Sequence, residues 1–214
     1  MKLHKAIARV WRLCYKNGRM KEETGTREKI RDTALHLFQQ QGYDAVTINA
    51  ICAASGISKN TFYYYYSEKK DLLVSLFDAS KETAHETMYA IAGISSPYEK
   101  LRYIISGTLD YILYLGWAVV RKALELQLAG TKEMGGHGKP SEFGMLILNL
   151  FEQAQNAGEI RSDVPASDLM HTSGFLIHGA VQIWAVNDGS LDLKKTCLHQ
   201  FDVLVRTGSQ GKDK

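Results

Sequence analysis

The chain has 214 residues, of which 45% are hydrophobic and 23% are charged, and its formal net charge is +3 at pH 7. This composition is that of an ordinary globular protein, and it excludes a disordered or fibrous chain. Only three prolines are present, which favours a mostly helical fold.

The charge is distributed unevenly along the sequence. Residues 1–70 contain 13 Lys and Arg against 6 Asp and Glu, whereas residues 71–214 contain 13 against 17. An anionic partner is therefore expected to bind the N-terminal third of the chain.

Membrane, secretion and metal signals are weak in this sequence. The most apolar stretch, residues 172–186, is too short for a membrane span and includes His178. The N-terminus lacks the apolar run and cleavage site of a secretory signal, so we expect a cytoplasmic protein with no membrane partner. Cys14, Cys52 and Cys197 are odd in number and widely spaced, which suits neither a disulfide framework nor a zinc site. We expect reduced thiols, no metal and no cofactor.

Residues 2–19 have the pattern of a basic amphipathic helix, and we treat residues 1–23 as an N-terminal extension. The apolar positions with helical spacing are Leu3, Ile7, Val10, Trp11 and Cys14. Three interpretations stay open. The segment is an additional helix that packs on the next domain or touches DNA, a membrane-surface segment, or sequence upstream of a true start at Met20.

Four short helices are predicted between residues 24 and 77. The first carries apolar residues at helical spacing from Ile30 to Phe38 and ends at Gly42. The second begins after Thr47, whose hydroxyl can cap the free amides, and ends at Gly56 in a left-handed turn. The third and fourth helices are predicted to be capped as well. Their predicted capping residues are Ser58 and Ser67.

Beyond residue 92 the sequence predicts long helices and no strands. Pro97 stands where a helix begins, and residues 98–128 form two helical segments with a bend near Gly116. Further helices are predicted over residues 141–157, 166–186 and 191–205, followed by a disordered tail at residues 208–214. The predicted fold is all-α: a three-helix domain over residues 24–70, joined by a fourth helix to a helical bundle over residues 71–207.

Two short helices joined by a glycine-containing turn form the helix-turn-helix pattern. The second of these helices must be short, exposed along one face and held by its partner, so that its first residues reach base edges in the major groove. Ile51 and Phe62 are predicted to hold the two helices together. Tyr64 and Tyr66 are predicted to be packing residues, and a buried Tyr66 needs a partner for its hydroxyl.

Over residues 30–72 the sequence resembles the TetR family of transcriptional regulators. The residues that carry the resemblance are Ile30, Ala34, Leu37, Phe38, Gly42, Tyr43, Thr47, Ile48, Ile51, Ala54, Gly56, Ile57, Ser58, Thr61, Phe62, Tyr63, Tyr66, Lys69 and Leu72. The sequence departs from the family pattern at Cys52, Asn60 and Tyr66, where alanine, a small residue or proline, and phenylalanine are frequent. These departures affect the expected operator sequence and leave the fold unchanged.

The resemblance implies a set of DNA-contacting residues. Thr47 would contact a phosphate, as helix N-termini commonly do, and Tyr63 and Lys69 match phosphate-contacting positions. Lys59, Asn60 and Tyr65 match base-facing positions, and Thr61 is at the border between base and backbone contacts. The chemistry of Lys59 suits guanine and that of Asn60 suits adenine. The full set is Thr47, Ser58, Lys59, Asn60, Thr61, Tyr63, Tyr65 and Lys69.

The C-terminal half resembles the family more loosely. The matching positions are Phe151, Gln155, Gly158, Glu159, Ile160, Arg161, Asp163, Gly179, Trp184, Asp192 and Leu193. The resemblance implies that residues 166–186 and 191–205 form a four-helix interface with a second copy of the chain. Gly174, Ala180 and Ala185 would allow a close helix approach there, and the alternative for these small residues is the core of the single chain.

A small-molecule effector site is expected among the middle helices, because aromatic walls with a few convergent polar groups suit such sites. The candidate residues are Tyr103, Tyr111, Tyr114, Trp117, Arg121, His171, Phe175, His178 and Gln182. The last four share one helical face, a spacing that a core or interface stripe would also show.

Two other classes of function were weighed. An enzyme is disfavoured because the sequence has no GxGxxG, GxxxxGK[ST], HExxH, CxxC or GxSxG motif. The alternative is a helical adaptor, a small-molecule-binding protein or a membrane-surface protein that uses the basic N-terminal helix and binds no DNA. It leaves the helix-turn-helix pattern unexplained. The sequence therefore predicts a ligand-responsive repressor that binds a palindromic operator in double-stranded DNA as a homodimer.

Overall fold

The structure is a computed structural model that describes residues 22–77, 82–129 and 142–206. These residues are helical, and no strand occurs among them, so the predicted all-α fold is confirmed. The basic segment at residues 2–19 and the tail at residues 208–214 lie outside the described residues.

Ten helices are described. They are α1 (Glu22–Gln41), α2 (Ile48–Ser55), α3 (Lys59–Tyr65), α4 (Lys69–Ser75), α5 (Glu82–Ile91), α6 (Pro97–Leu115), α7 (Trp117–Leu128), α8 (Glu142–Asn156), α9 (Ala166–Val186) and α10 (Leu193–Val205). Taken singly, none of these described helices has the length and apolarity that a membrane crossing requires, although α6 and α7 pass that test of length and composition as a bent pair.

The described residues divide into two compact units. The N-terminal unit comprises residues 22–77 and 115–129, and the C-terminal unit comprises residues 82–114 and 142–206. Residues 115–129 thus pack with the N-terminal helices, although the sequence assigned them to the C-terminal domain. The predicted boundary at residue 70 stays a prediction.

The core of the N-terminal unit is built by the helices that the sequence predicted there. Ile30 and Phe38 of α1, Ile51 of α2, Phe62 of α3 and Leu72 of α4 are all buried. Ile51 and Phe62 are fully inaccessible, as expected of the pair that holds α2 against α3. The burial of these side chains provides the main stabilisation of a helix as short as α3, which could not persist alone in water.

The α7 segment is held to the N-terminal unit by polar contacts. The Gln39 side-chain amide donates to the carbonyl oxygen of Leu115 at 3.3 Å, and the Lys122 ammonium donates to the Asp44 carboxylate at 3.0 Å. Gly116 separates α6 from α7 with a φ of 83°, so the predicted break at this glycine is confirmed. A side chain at this position would be strained by such a backbone.

Of the three predicted N-terminal capping residues, Thr47 and Ser58 are confirmed and Ser67 is not. The amide of Ala50 donates to the Thr47 hydroxyl at 3.1 Å, and Gly56 ends α2 in the left-handed region with φ 64°. Ser67 was wrong as the cap of α4. The cap is Glu68, because the Asp71 carboxylate accepts from the Glu68 amide at 3.1 Å and fixes the helix start one residue later.

Two further boundaries differ from the prediction. The last helix begins at Leu193, two residues later than expected, because the Asp192 side chain accepts from the Lys195 amide at 3.1 Å. Residues 82–91 form a further helix, α5, in a stretch where the sequence predicted no helix.

Gln155 and Glu159 are two of the positions at which the C-terminal half resembles the family. In the C-terminal unit both side chains bind backbone groups where the chain turns. The Glu159 carboxylate accepts from the Ser96 hydroxyl at 2.9 Å and from the Tyr98 amide at 2.8 Å, which caps the start of α6. The Gln155 amide donates to the carbonyl oxygens of Arg161 and Val164, both at 2.9 Å, and so holds the loop that leads into α9. Both residues therefore have a structural role.

Candidate nucleic-acid interface

The start of α3 presents polar side chains to solvent. Ser58 caps the helix by accepting from the Thr61 amide at 3.0 Å, and its hydroxyl lies 2.8 Å from the Thr61 hydroxyl. Lys59 and Asn60 follow the cap and are exposed, while Thr61 is partly buried. Two of the three residues predicted to face base edges, Lys59 and Asn60, are thus at the exposed start of a helix whose opposite side is anchored by Phe62.

The tyrosines of α3 differ in their environments. Tyr63 is 53% exposed, and Tyr65 is partly buried with its ring 4.9 Å from that of Tyr64. Tyr66 is buried, and the Ser75 hydroxyl at 3.5 Å provides the partner that its hydroxyl was expected to need.

The prediction that Tyr64 is a packing residue was wrong, since 73% of its side chain is exposed. Tyr64 lies two positions after Phe62, and a two-residue step on a helix turns the side chain away from the buried face. That step is the signal in the sequence that could have placed Tyr64 beside Tyr63 on the outer surface.

Thr47 lies beside this surface in the turn before α2. It is exposed, and its hydroxyl already accepts from the Ala50 amide. The hydroxyl hydrogen and the unbonded amides of the first helical turn are the groups that a helix N-terminus offers to an anion.

Lys69 is partly buried, and it binds the loop between α1 and α2. Its ammonium donates to the carbonyl oxygens of Tyr43 and Val46, both at 2.7 Å, and lies 4.2 Å from the centroid of the Tyr43 ring. Burial is the main influence on this group and lowers the pKa of Lys69, against the charge of Asp44, which raises it. Sequence reasoning gave Lys69 a phosphate-contacting role and missed its contacts with this loop.

The candidate effector residues fall in different parts of the structure. Tyr103, Tyr111 and Tyr114 are on α6 in the C-terminal unit, where the Tyr111 and Tyr114 rings are 6.3 Å apart. Trp117 and Arg121 are on α7 in the N-terminal unit, with the Arg121 guanidinium 4.7 Å from the Trp117 ring.

The four candidates on α9 are all exposed. They are His171, Phe175, His178 and Gln182. Two further apolar side chains extend this face. Phe175 is 77% exposed, Ile183 57% and Val186 60%. Ile183 follows Phe175 by eight positions and Val186 follows Ile183 by three, and these steps place the three side chains on one side of the helix.

The neighbouring helix α10 adds Val203, which is 60% exposed, and α9 packs against α10. We call Phe175, Ile183, Val186 and Val203 the α9–α10 apolar face. Of the three small residues noted in the sequence, Ala185 is fully buried within its own chain, whereas Gly174 has open space where a side chain would start.

A family model described as "Bacterial regulatory proteins, tetR family" matches residues 30–76. The match covers α2, α3 and α4 and most of α1. It therefore includes both capped helix starts and Lys69.

Two curated relatives are similar over parts of the chain. The HTH-type transcriptional regulator AcrR of Shigella flexneri is 30% identical over 91 residues, which are 42% of this chain and 42% of that protein. The HTH-type transcriptional repressor KstR of Mycolicibacterium smegmatis is 28% identical over 144 residues, 64% of this chain and 66% of that one. The chain thus spans less than two thirds of the length of either relative.

A solved structure is similar over a longer stretch. It is the Thermus thermophilus regulator FadR, described as a TetR family transcriptional repressor in complex with lauroyl-CoA, with 19% identity and a TM-score of 0.56 over 86% of this chain and 97% of that one. This likeness supports the helical fold of both units.

Proposed function

We infer that this chain belongs to the tetR family of bacterial regulatory proteins, and we propose that it represses transcription by binding a palindromic operator as a homodimer, until a small molecule releases it. The observation that carries the proposal is the free, polar start of α3, where exposed Lys59 and Asn60 follow a capped turn anchored by Phe62. Its DNA target implies that it acts in the cytoplasm.

The proposed DNA contacts combine backbone and base recognition. Thr47, Ser58, Tyr63 and Lys69 would bind phosphates and fix the position of the protein on the duplex. Lys59, Asn60 and Tyr65 would reach base edges, with Thr61 between the two groups. In a dimer, the two copies of α3 would lie about 34 to 36 Å apart, one turn of DNA, or at a multiple of that spacing.

The α9–α10 apolar face supports the proposed homodimer. Its exposed side chains include Phe175, 77% of which is exposed in the described part of the chain. Large contiguous apolar patches are uncommon on soluble monomers and mark interaction sites. A second copy would bury the same face on both partners through a two-fold axis. The exposure of His171, His178 and Gln182 favours this interface over an effector pocket as their location.

The proposed effector is a small, largely apolar molecule that binds the C-terminal unit. The aromatic side chains Tyr103, Tyr111 and Tyr114 of α6, all in that unit, support this class of ligand. Because the similar solved structure from Thermus thermophilus holds lauroyl-CoA, which carries an apolar acyl chain, that thioester is a suitable first probe.

Salt dependence tests the DNA-binding part of the proposal. Binding to a random-sequence duplex should weaken log-linearly as salt rises, since each neutralised phosphate releases condensed counterions. A binding constant that does not change with salt, or no binding at low salt, would contradict the proposal. Selecting bound fragments from the genome of the source bacterium would then identify the operator.

The effector part is tested by fluorescence. Lauroyl-CoA and a panel of apolar and cationic compounds are screened for quenching of Trp117 and Trp184, and each ligand is then titrated against preformed protein–DNA complex. A ligand that favours the released state should lower operator affinity by a factor corresponding to a coupling of about 1 to 3 kcal/mol. Ligands that bind tightly but leave operator affinity unchanged would contradict control by a small molecule.

A further inference from the structure

The loop between α1 and α2 is held by lysines from two other helices. Lys69 of α4 binds its carbonyl groups, as described above. Lys122 of α7 binds its side chains: its ammonium donates to the Asp44 carboxylate at 3.0 Å and lies 5.6 Å from the centroid of the Tyr43 ring. Both lysines and the whole loop belong to the N-terminal unit.

Asp44 and Lys122 differ strongly in exposure. The Asp44 side chain is 80% exposed, whereas that of Lys122 is 22% exposed. Lys122 also lies 3.3 Å from the Glu125 carboxylate on its own helix. The hydrogen bond with Asp44 is the main cause that raises the pKa of Lys122, so the ammonium remains charged beside the carboxylate.

The position of Asp44 matters because it precedes the capped start of α2 by three residues. Three residues of chain span at most about 10 Å, which is close to the screening length of about 8 Å at physiological salt. An exposed carboxylate at this distance from Thr47 opposes the approach of a DNA phosphate. A lysine that pairs with the carboxylate reduces that opposition.

We propose that Lys122 is a positioning residue for DNA binding, which neutralises the charge of Asp44 on the loop that leads to Thr47. The inference rests on the proposed DNA binding and adds a residue outside the matched segment at residues 30–76. Lys122 is 78 positions from Asp44 in the sequence, so only the folded chain brings the two together. The residue acts through Asp44, and no contact of its own with DNA is required.

The test measures the affinity of the full chain for a random-sequence duplex at low salt. Lys122→Met should weaken binding about two- to fivefold, the range that corresponds to measured couplings of exposed ion pairs. Lys122→Arg should restore binding because it keeps the charge. Asp44→Asn should bind at least as tightly as the wild type, and adding Lys122→Met to it should have no further effect.

Glu125→Gln is the matched control. It removes the other carboxylate that pairs with Lys122, but this carboxylate is on α7 and not on the loop, so binding should not change. The loss caused by Lys122→Met should also shrink as salt rises, because exposed charges are screened. A purely structural role would show neither this salt dependence nor the recovery in Asp44→Asn.

The outcomes separate this inference from the proposed function. If the wild type binds no DNA at low salt, the proposed function itself fails. If the wild type binds but Lys122→Met binds equally well, the positioning role is wrong. It is also wrong if Lys122→Met causes the same loss in the Asp44→Asn background, since Lys122 would then contact DNA directly, or if Asp44→Asn alone weakens binding.

Discussion

The ammonium of Lys69 donates a 2.7 Å hydrogen bond to the carbonyl oxygen of Tyr43 and lies 4.2 Å from the centroid of the same residue's ring. A second bond of 2.7 Å goes to the carbonyl oxygen of Val46. An ammonium has three donors, so two hold the loop and one can serve a phosphate. This lysine therefore contributes to stability as well as to the proposed DNA contact.

Lys69→Met should weaken binding to DNA of any sequence and also destabilise the fold. The loss of two charge-assisted hydrogen bonds should lower the free energy of unfolding by about 1 to 3 kcal/mol, and the loss of one phosphate contact should reduce the salt slope by about one unit. Urea unfolding and salt titrations measure the two effects. Lys195→Met is the control, since it removes the same charge from an exposed position on α10, and it should change neither the stability nor the salt slope. If Lys69→Met leaves the salt slope unaltered, Lys69 does not contact a phosphate.

Asn60→Ala should alter which DNA sequences are bound while leaving stability unchanged. Asn60 is exposed at the start of α3, and a bidentate amide contact with a base discriminates by about 1 to 3 kcal/mol. The measurement is selection of bound fragments with the wild type and the variant. Asn156→Ala, an identical change at an exposed position in the other unit, is the control. Identical preferences for Asn60→Ala and the wild type would exclude base reading by this residue.

Phe175→Asp should convert the proposed dimer to monomer and lower operator affinity. Its side chain is 77% exposed on the α9–α10 apolar face, and a carboxylate buried at a two-fold interface would lack a partner. Sedimentation across a range of concentrations gives the oligomeric state. Tyr89→Asp is the matched control, since Tyr89 is 83% exposed on α5 and should tolerate the charge. A Phe175→Asp protein that dimerises like the wild type would place the interface elsewhere.

Cys197 should be unreactive in the folded protein, and its burial should make stability sensitive to high pH. Burial raises the pKa of this thiol from 9.0 to about 11. Between pH 9.0 and about 11 the Cys197 thiol has lost its proton in the unfolded chain but keeps it in the folded chain. The free energy of unfolding is therefore unaffected below pH 9.0 and falls as the pH rises toward about 11.

Thiol labelling and urea unfolding check this expectation. In a Cys14→Ser background, a thiol reagent should label the protein only after unfolding, because Cys52 and Cys197 are both buried. Removing the thiol with Cys197→Ala should reduce the decline in stability above about pH 9. Rapid labelling of the native protein would show that this part of the core opens readily.

A chain that starts at Met20 should still fold and dimerise but show a shallower salt slope. The truncation removes residues 1–19, which carry six Lys and Arg and no Asp or Glu, and counterion release scales with the number of phosphates neutralised. Salt titrations of both chains on one duplex give the slopes. Equal slopes would show that residues 1–19 neutralise no phosphates of the duplex.

Local chemistry determined much of the N-terminal unit in advance. Thr47 and Ser58 cap their helices as their hydroxyls predict, and Gly42, Gly56 and Gly116 adopt the positive φ that their positions require. Each of these features depends on groups within a few residues of one another, so the sequence contains the whole interaction. The same applies to the helical spacing that buries Ile51 and Phe62.

Tertiary structure decided the features that depend on distant residues. The sequence gives no reason for Lys122 to meet Asp44, for Lys69 to hold the loop of Val46, or for the candidates on α9 to be exposed. One helical stripe looks the same whether it faces the core, a ligand or a second copy of the chain, because periodicity records only that one side is apolar. The packing of the other helices determines which of these surfaces it becomes, and that packing is a property of the whole fold.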